Sequence, residues 1–268
     1  MDPRLHGDDR KGNDLEDREA LIAFWKEEEK RPFSGWDFSY VRDRIQEDPL
    51  PWSYNELVRE LMMQKTAVLD TSTGGGEVLL SFRDVWPPIV KATEGYEINL
   101  KLAQENLGKF GVEVLYADGS DSEILPFPDE TFDLVTNRHG AINCDEVARV
   151  LKPDGIFLTQ QVDGMSGHDL LAVFTDEGPK WPDANPQKYM PRLEKAGMSI
   201  EHVAEHDGQK QFSDVGTIVY YLKAIPWIVD DFAVEKYLPQ LLQLQEQLEG
   251  KRPLSFSNKH YLIKARKL

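Results

Sequence analysis

The sequence predicts an α/β protein on a mostly parallel sheet with helices on both faces. Three observations carry this. At Ala67–Glu77, AVLDTSTGGGE, a short apolar run ends in Asp70 and then three consecutive glycines, Gly74 to Gly76. Directly after them Val78, Leu79, Leu80 and Phe82 restore a helical apolar rhythm, so the unit reads strand, glycine loop, helix. From there to about Gln161, strand-like and helix-like stretches alternate, as in strand–helix–strand units.

Taken in order, residues 1–15 are polar, of mixed charge and without periodicity, which predicts a flexible arm. A charged helix follows from Leu15 to Arg31, with Leu21, Ile22 and Trp25 on one face. Phe33, Trp36, Phe38 and Tyr40 form an aromatic cluster, and Pro49–Trp52 a second. Ser53 and Glu56 have capping-box spacing and open a helix over about Tyr54–Met63. Residues 16–64 thus form an N-terminal helical extension, whose aromatic residues either fasten it to the core or close over a site as a lid.

Beyond the glycine loop, Trp86-Pro87-Pro88 ends the first helix and a strand over about Val90–Tyr96 runs up to Glu97. Ile98–Phe110 is an amphipathic helix with Ile98, Leu102 and Leu107 on one face and Gly111 at its end. A strand at Val112–Tyr116 leads into Asp118-Gly119. In the last third, Pro186–Gly197 reads as a helix and Met198–Glu205 as an alternating strand. Ser213 or Asp214 caps a helix over Val215–Ile225, another spans about Val234–Leu248, and His260–Ala265 is the last strand.

A glycine loop between strand and helix puts free backbone N–H groups beneath a polar or anionic ligand, so nucleotide binding is the first hypothesis; a glycine turn without a ligand is the plainer one. The dinucleotide fingerprint requires Gly or Ala at 79, where Leu79 stands, and no Gly-Lys-Ser/Thr ending follows. Glu97, about twenty residues beyond the loop, is placed to accept hydrogen bonds from ribose hydroxyls, or is a solvated turn glutamate.

The acid of Asp70 followed by Ser72, Gly74 and Gly76 resembles motif I, D/E-x-G-x-G-x-G, of the class I S-adenosylmethionine (AdoMet)-dependent methyltransferases, with Ser72 replacing the first glycine. Leu125–Val135, L-P-F-P-D-x-x-F-D-L-V, resembles the approach to their fourth strand. Leu151–Gly155 resembles their L-K-P-G-G turn, with Asp154 replacing one glycine. In this order across Ala67–Gln161, the motifs resemble the type 11 kind, which includes menaquinone/ubiquinone methyltransferases. The resemblance implies a Rossmann-like seven-stranded sheet, mostly parallel with the last strand antiparallel, over residues 65–268, with a helical insertion at 213–250 before that strand. It implies AdoMet as cofactor and S-adenosylhomocysteine as product. Asp70, Ser72, Gly74 and Gly76 would hold it at the loop, Glu97 and Ile98 at the ribose, and Asp118 and Gly119 at the adenine, with Asn137 completing the set.

Methyl transfer is an in-line displacement, so the protein positions a nucleophile and, where needed, removes its proton. The acceptor would meet the methyl near Thr136–Cys144. The Asn/Asp-Pro-Pro-aromatic motif of amino-group methyltransferases would begin at Asn137, but Arg138 and His139 fill the next places. That counts against methylation of adenine or glutamine amides. His139 is the candidate general base, because imidazole titrates near neutral pH, and Arg138 the candidate holder of a substrate carboxylate or phosphate. Each has a structural counterpart: a hydrogen-bonded strand-end histidine, and an arginine paired with Asp145 or Glu146. Gln160 and Gln161 are odd polar residues beside an apolar strand and are candidates to face the pocket. Cys144 reads as a buried thiol, and His168, His202 and His206 show no metal-ligand spacing.

The net charge of −16 argues against a large nucleic-acid surface. The single cysteine excludes an intramolecular disulfide, a cysteine-rich metal site and the radical AdoMet class. The N-terminus shows no apolar signal region, and Gly216–Val229 is interrupted by Lys223 and Pro226. The expectation is therefore a cytoplasmic enzyme with a small-molecule acceptor, no metal and no membrane contact. Two other readings stand beside it: an RNA-modifying methyltransferase, and a non-catalytic AdoMet-binding module that regulates a partner. An NAD-dependent oxidoreductase is disfavoured by Leu79.

Overall fold

The structure, a computed structural model, describes residues 8–33 and 36–268, with side chains from Asp17 onward. Its strands are β1 (Ile45–Glu47), β2 (Ala67–Thr71), β3 (Ile89–Glu94), β4 (Glu113–Tyr116), β5 (Phe132–Arg138), β6 (Leu151–Val162), β7 (Met198–Phe212) and β8 (Leu254–Lys267). They form one sheet in the order β1-β7-β8-β6-β5-β2-β3-β4. From β4 to β6 all pairings are parallel, and β8 is antiparallel to both β6 and β7. The antiparallel last strand matches expectation. The strand count is eight, not seven, because β1 from the N-terminal extension pairs antiparallel with the free edge of β7. Three half-exposed residues, Ile-Gln-Glu, carry no alternation from which sequence could read a strand.

Successive strands run outward from β2 to β4 in one direction and from β5 to β6 in the other. The topological switch therefore lies between β2 and β5, and a crevice opens at their carboxyl ends, where open α/β sheets collect ligands. β2 and β5 are buried on both faces along Ala67–Leu69 and Leu134–Asn137. Leu69, Val135 and Phe157 pack on one face with α5 (Cys144–Val150) and Leu193 of α7 (Pro186–Lys195). Val68, Leu134 and Leu158 pack on the other with α2 (Tyr54–Met62) and α4 (Glu97–Gly108). In α4 the buried residues are Asn99, Ala103 and Leu107, whereas Ile98 is 56% exposed. The predicted face was thus rotated, because Ala103 and Asn99, weakly apolar or polar, are the small residues that fit against the sheet.

β7 and β8 are longer than their sequence patterns suggested. β6 ends at Val162, paired with His260, but β7 and β8 continue pairing to Phe212 and Leu254. This extension stands above the sheet as a wall, and its lower apolar content hid it. Cross-strand partners share a face, which places Lys210, Phe212, Phe256, Asn258 and His260 on one side of that wall.

A second apolar layer packs against Phe212 and Phe256 of that wall: Trp25 of α1 (Asp8–Lys30), Ile218 and Val219 of α8 (Val215–Ala224), and Leu241 and Leu244 of α9 (Leu238–Glu249). Burying each such side chain stabilises by roughly 1.5–3 kcal/mol. α1 starts before Leu15, at Asp8, so part of the expected arm is helix; residues 1–7 lie outside the described residues. Arg44 ties the extension down. Its Nε and Nη2 donate to Asp214 at 3.1 and 2.8 Å, and its Nη1 donates to buried Glu28 at 3.2 Å. Asp214 also caps α8, accepting from the Thr217 N–H at 2.8 Å. Burial would raise the Asp214 pKa, but Arg44, Ser213 and Thr217 outweigh it and hold it at about 2.

Candidate active site

At the carboxyl ends of the strands lies a cavity of about 1200 Å³. Ligand pockets commonly span roughly 300–1,000 Å³, so this one has room for a cofactor and an acceptor together. Asp70, Ser72, Gly74, Glu94 and Asp118 line one side; Arg138, His139 and Gln161 the middle; Lys210, Asn258 and His260 the far wall. Trp36, Phe38 and Trp227 add aromatic surface, with Trp36 and Trp227 edge to face at 5.3 Å.

The loop after β2 is held by its acids. Asp70 accepts from Thr136 Oγ1 and Thr73 Oγ1, both at 2.7 Å. Burial raises it to about 6 against those two bonds, with neighbouring Glu94 adding to the rise. Ser72 takes φ +54°, the left-handed conformation that glycine adopts without strain. Its side chain occupies the space beside Gly140, where any Cβ would lie 2.3 Å from Ser72 Cβ and Oγ. Gly74, also left-handed, donates its N–H to Glu94 Oε2 at 2.7 Å, and Glu94 Oε1 accepts from the Tyr96 N–H at 2.9 Å. Burial raises the Glu94 pKa against those backbone bonds.

The carboxylate that reaches the loop is therefore Glu94 at the end of β3, not Glu97. Glu97 opens α4 and is exposed, as is Ile98, and neither lines the cavity. The sequence pattern placed the strand end two residues too late, past the turn at Gly95 and Tyr96. Gly76 caps α3 (Glu77–Leu80) with φ +85° and packs against Leu107, away from the cavity. Asp118 lines the cavity and lies against Gly95, where a Cβ would come within 2.4 Å of the Asp118 Cα. Gly119, at φ +70°, sits behind it against the Ala141 carbonyl.

Asn137 is spent on structure. Its Nδ2 donates to Thr71 Oγ1 at 2.9 Å and the Ala141 carbonyl at 3.3 Å, and its Oδ1 accepts from Thr159 Oγ1 and Gln161 Nε2. Gln161 lines the cavity, whereas Gln160 is buried, accepting from Trp52 Nε1–H at 2.8 Å and contacting His139 Nε2 at 3.2 Å.

His139, at φ +57°, turns its ring onto the cavity wall. His139 is exposed to the cavity, yet the protein packed around it, and then the charges of Arg138, His260 and Lys210, push its pKa down to about 3. An imidazole that resists protonation this strongly is a weak proton acceptor, so the structure does not support a base poised near neutrality. Arg138 does not pair with Glu146, which binds Arg149 at 2.6 Å, and it makes no ion pair among the described residues. It lies near the ring of Tyr54, at 6.0 Å from the centroid.

Tyr54 escaped the sequence reading. It is 5% exposed, lines the cavity, and its hydroxyl has no partner in hydrogen-bond geometry, although Thr136 lies beside it. A capping signal placed the helix start but said nothing of the hydroxyl's direction. A buried orphan hydroxyl beside a cluster of carboxylates suits a polar ligand bearing cations and hydroxyls. The thiol of Cys144 is pushed by burial to about 11 and is unreactive. Among the described residues, no trio of His, Cys, Asp or Glu could hold a metal ion, and no helix is long and apolar enough to cross a membrane.

Strand order, switch point, acid-bearing strand ends and glycine loop together define the class I AdoMet-dependent methyltransferase fold. Residues 69–159 match the family model described as a methyltransferase domain. Over 101 residues it is 40% identical to YcgJ, an uncharacterized methyltransferase of Bacillus subtilis, covering 34% of this chain and 38% of that protein. Over 110 residues it is 33% identical to the uncharacterized protein MJ1252 of Methanocaldococcus jannaschii, covering 38% and 39%. The matched stretches thus span about two fifths of these relatives. The solved structure of YcgJ superposes with a TM-score of 0.58 at 18% identity, covering 80% of this chain and 97% of that one. The BH2331 protein of Bacillus halodurans C-125 gives 0.55 at 23%, covering 78% and 98%. At these identities the likeness is one of fold.

Proposed function

We propose that the protein is an AdoMet-dependent methyltransferase acting on a small-molecule acceptor. The observation that carries this reading is the convergence of Asp70, Gly74, Glu94 and Asp118 on one side of a cavity large enough for two ligands. When bound, AdoMet supplies an electrophilic methyl group on a sulfonium. Glu94 accepts from the ribose hydroxyls, Asp118 from the adenine amino group, and Asp70 faces the cationic methionine end, with the Tyr54 hydroxyl beside it for the carboxylate. The ends of β5 and β6 and the β7–β8 wall hold the acceptor, and the aromatic residues of the extension exclude water from the pair. The net charge of −16 favours a small acceptor over RNA.

Calorimetric titration with AdoMet and S-adenosylhomocysteine, with NAD as control, tests the reading. Micromolar binding of the first two, weakened in Asp118→Ala, is the expected result. Absence of binding by either would overturn it. Binding without transfer of a labelled methyl into any metabolite extract would favour the regulatory module.

A further inference from the structure

The donors and acceptors around His139 can be assigned in only one way. Trp52 Nε1–H is a donor only, and it lies 2.8 Å from Gln160 Oε1. That contact orients the Gln160 amide, so its NH2 group is the one that lies 3.2 Å from His139 Nε2. An amide NH2 only donates; His139 Nε2 must therefore accept, and the ring proton sits on Nδ1. Nδ1 has no protein partner among the described residues, and the ring lies on the cavity wall.

The charges that act on His139 are cationic, those of Arg138, His260 and Lys210, although Glu47, Asp70 and Asp163 line the same cavity. Arg138, without an ion-pair partner, adjoins His139 in the chain and lines the same cavity. Lys210 faces the site from β7, donating to Tyr221 Oη at 2.8 Å and pairing with Glu47 of β1 at 3.2 Å. The ring of His260 lies 5.7 Å from that of His139, and its buried Nδ1 has no partner, which a ligand would supply. Gln161, the other polar side chain here, is already bonded to Asn137 and Thr159.

We infer that Trp52 and Gln160 are positioning residues that lock His139 as an Nδ1–H donor, and that the acceptor is a small organic acid methylated on its anionic oxygen. The inference rests on the methyltransferase reading. The acid binds already ionised, its oxygen taking the His139 Nδ1–H bond within the field of Arg138. An oxygen lone pair forms the O–CH3 bond as the CH3–S bond breaks, and that bond's electron pair stays on sulfur. The acid's negative and the sulfonium's positive charge cancel, so no proton moves and no general base is needed.

Long-range ¹H–¹⁵N spectra of the full-length protein labelled at histidine test this, with His139 assigned by loss of its signals in His139→Gln. The expected spectrum is the neutral Nδ1–H form from pH 5 to 8, turning into a mixture of tautomers in Trp52→Phe. A neutral Nε2–H form or an imidazolium in the wild type overturns the assignment, whether or not the variant folds. Sodium formate, too small for acceptor shape to matter, is then added with S-adenosylhomocysteine present. A saturable shift of the His139 signals, absent with formamide and weakened at least tenfold by Arg138→Gln, supports the acid acceptor. No shift overturns it. Binding of S-adenosylhomocysteine is measured on the same samples, so failure of the methyltransferase reading shows there and leaves the tautomer result standing.

Discussion

Replacing Glu94 by Gln separates the two carboxylates that stand near the end of β3. Glu94 accepts from two backbone N–H groups, one on each oxygen, at 2.7 and 2.9 Å. An amide keeps one acceptor and turns its other end into a donor, so either the Gly74 or the Tyr96 N–H loses its partner. The ribose hydroxyls lose a charged acceptor as well, and a hydrogen bond to a charged group contributes roughly 1.5–3 kcal/mol. Affinity for S-adenosylhomocysteine should therefore fall about 10- to 150-fold in Glu94→Gln. Glu97→Gln, on the exposed start of α4, should bind as the wild type does. Calorimetric titration of both variants, with thermal melts of the free proteins to isolate loop damage, makes the comparison. Wild-type affinity in Glu94→Gln, or an equal loss in Glu97→Gln, would refute the assignment.

Asp70 titrates at about 6 in the free protein, and a cationic ligand favours its ionised form. Below pH 6 binding must release a proton, so AdoMet affinity should fall by up to about tenfold per pH unit there. Glu94, also raised, adds in the same direction, and Asp70→Asn should bind more weakly at pH 7.5 and lose most of this slope in a titration series. Arg44→Ala leaves Asp214 without its cation and Glu28, 1% exposed, with Arg31 alone; the expected loss is about 2–3 kcal/mol in denaturant melts. The Asp214 part of that, roughly 1–2 kcal/mol after solvent screening, is fully present above pH 4 and disappears as pH falls through about 2, because the folded pKa lies below the unfolded one. Gly140→Ala should cost about 1–3 kcal/mol by driving a Cβ into Ser72, and Ser72→Gly should restore most of it, which a double-mutant cycle would register as coupling.

Much of the cofactor half was legible because its signals are local. Strands buried on both faces must be apolar throughout, and a loop that turns back into a helix beneath a ligand needs left-handed residues at fixed places. AVLDTSTGGGE states both, and even the Ser72 departure keeps that backbone at φ +54°. Glu97 misled because an acid just beyond a strand looks the same whether the strand ends two residues earlier or not. Asn137 misled because a polar residue at a strand end can face a ligand or its neighbours, and here four partners, on β2, on β6 and in the loop after β5, consume it.

The sequence by itself determined the α/β sheet, the glycine loop and the resemblance of residues 69–159 to a methyltransferase domain, since each is written in residues close together in the chain. Only the tertiary structure decided which carboxylate meets the loop, that the Tyr54 hydroxyl has no hydrogen-bond partner and Arg138 no ion-pair partner among the described residues, and which side chain meets His139. The chain runs more than a hundred residues between Trp52 and Gln160 and again between Tyr40 or Arg44 and α8. Which donor meets which acceptor over such distances depends on the packed sheet and not on local pattern. The direction of a proton on His139 follows from an indole in the N-terminal extension, and no spacing in the sequence records that contact.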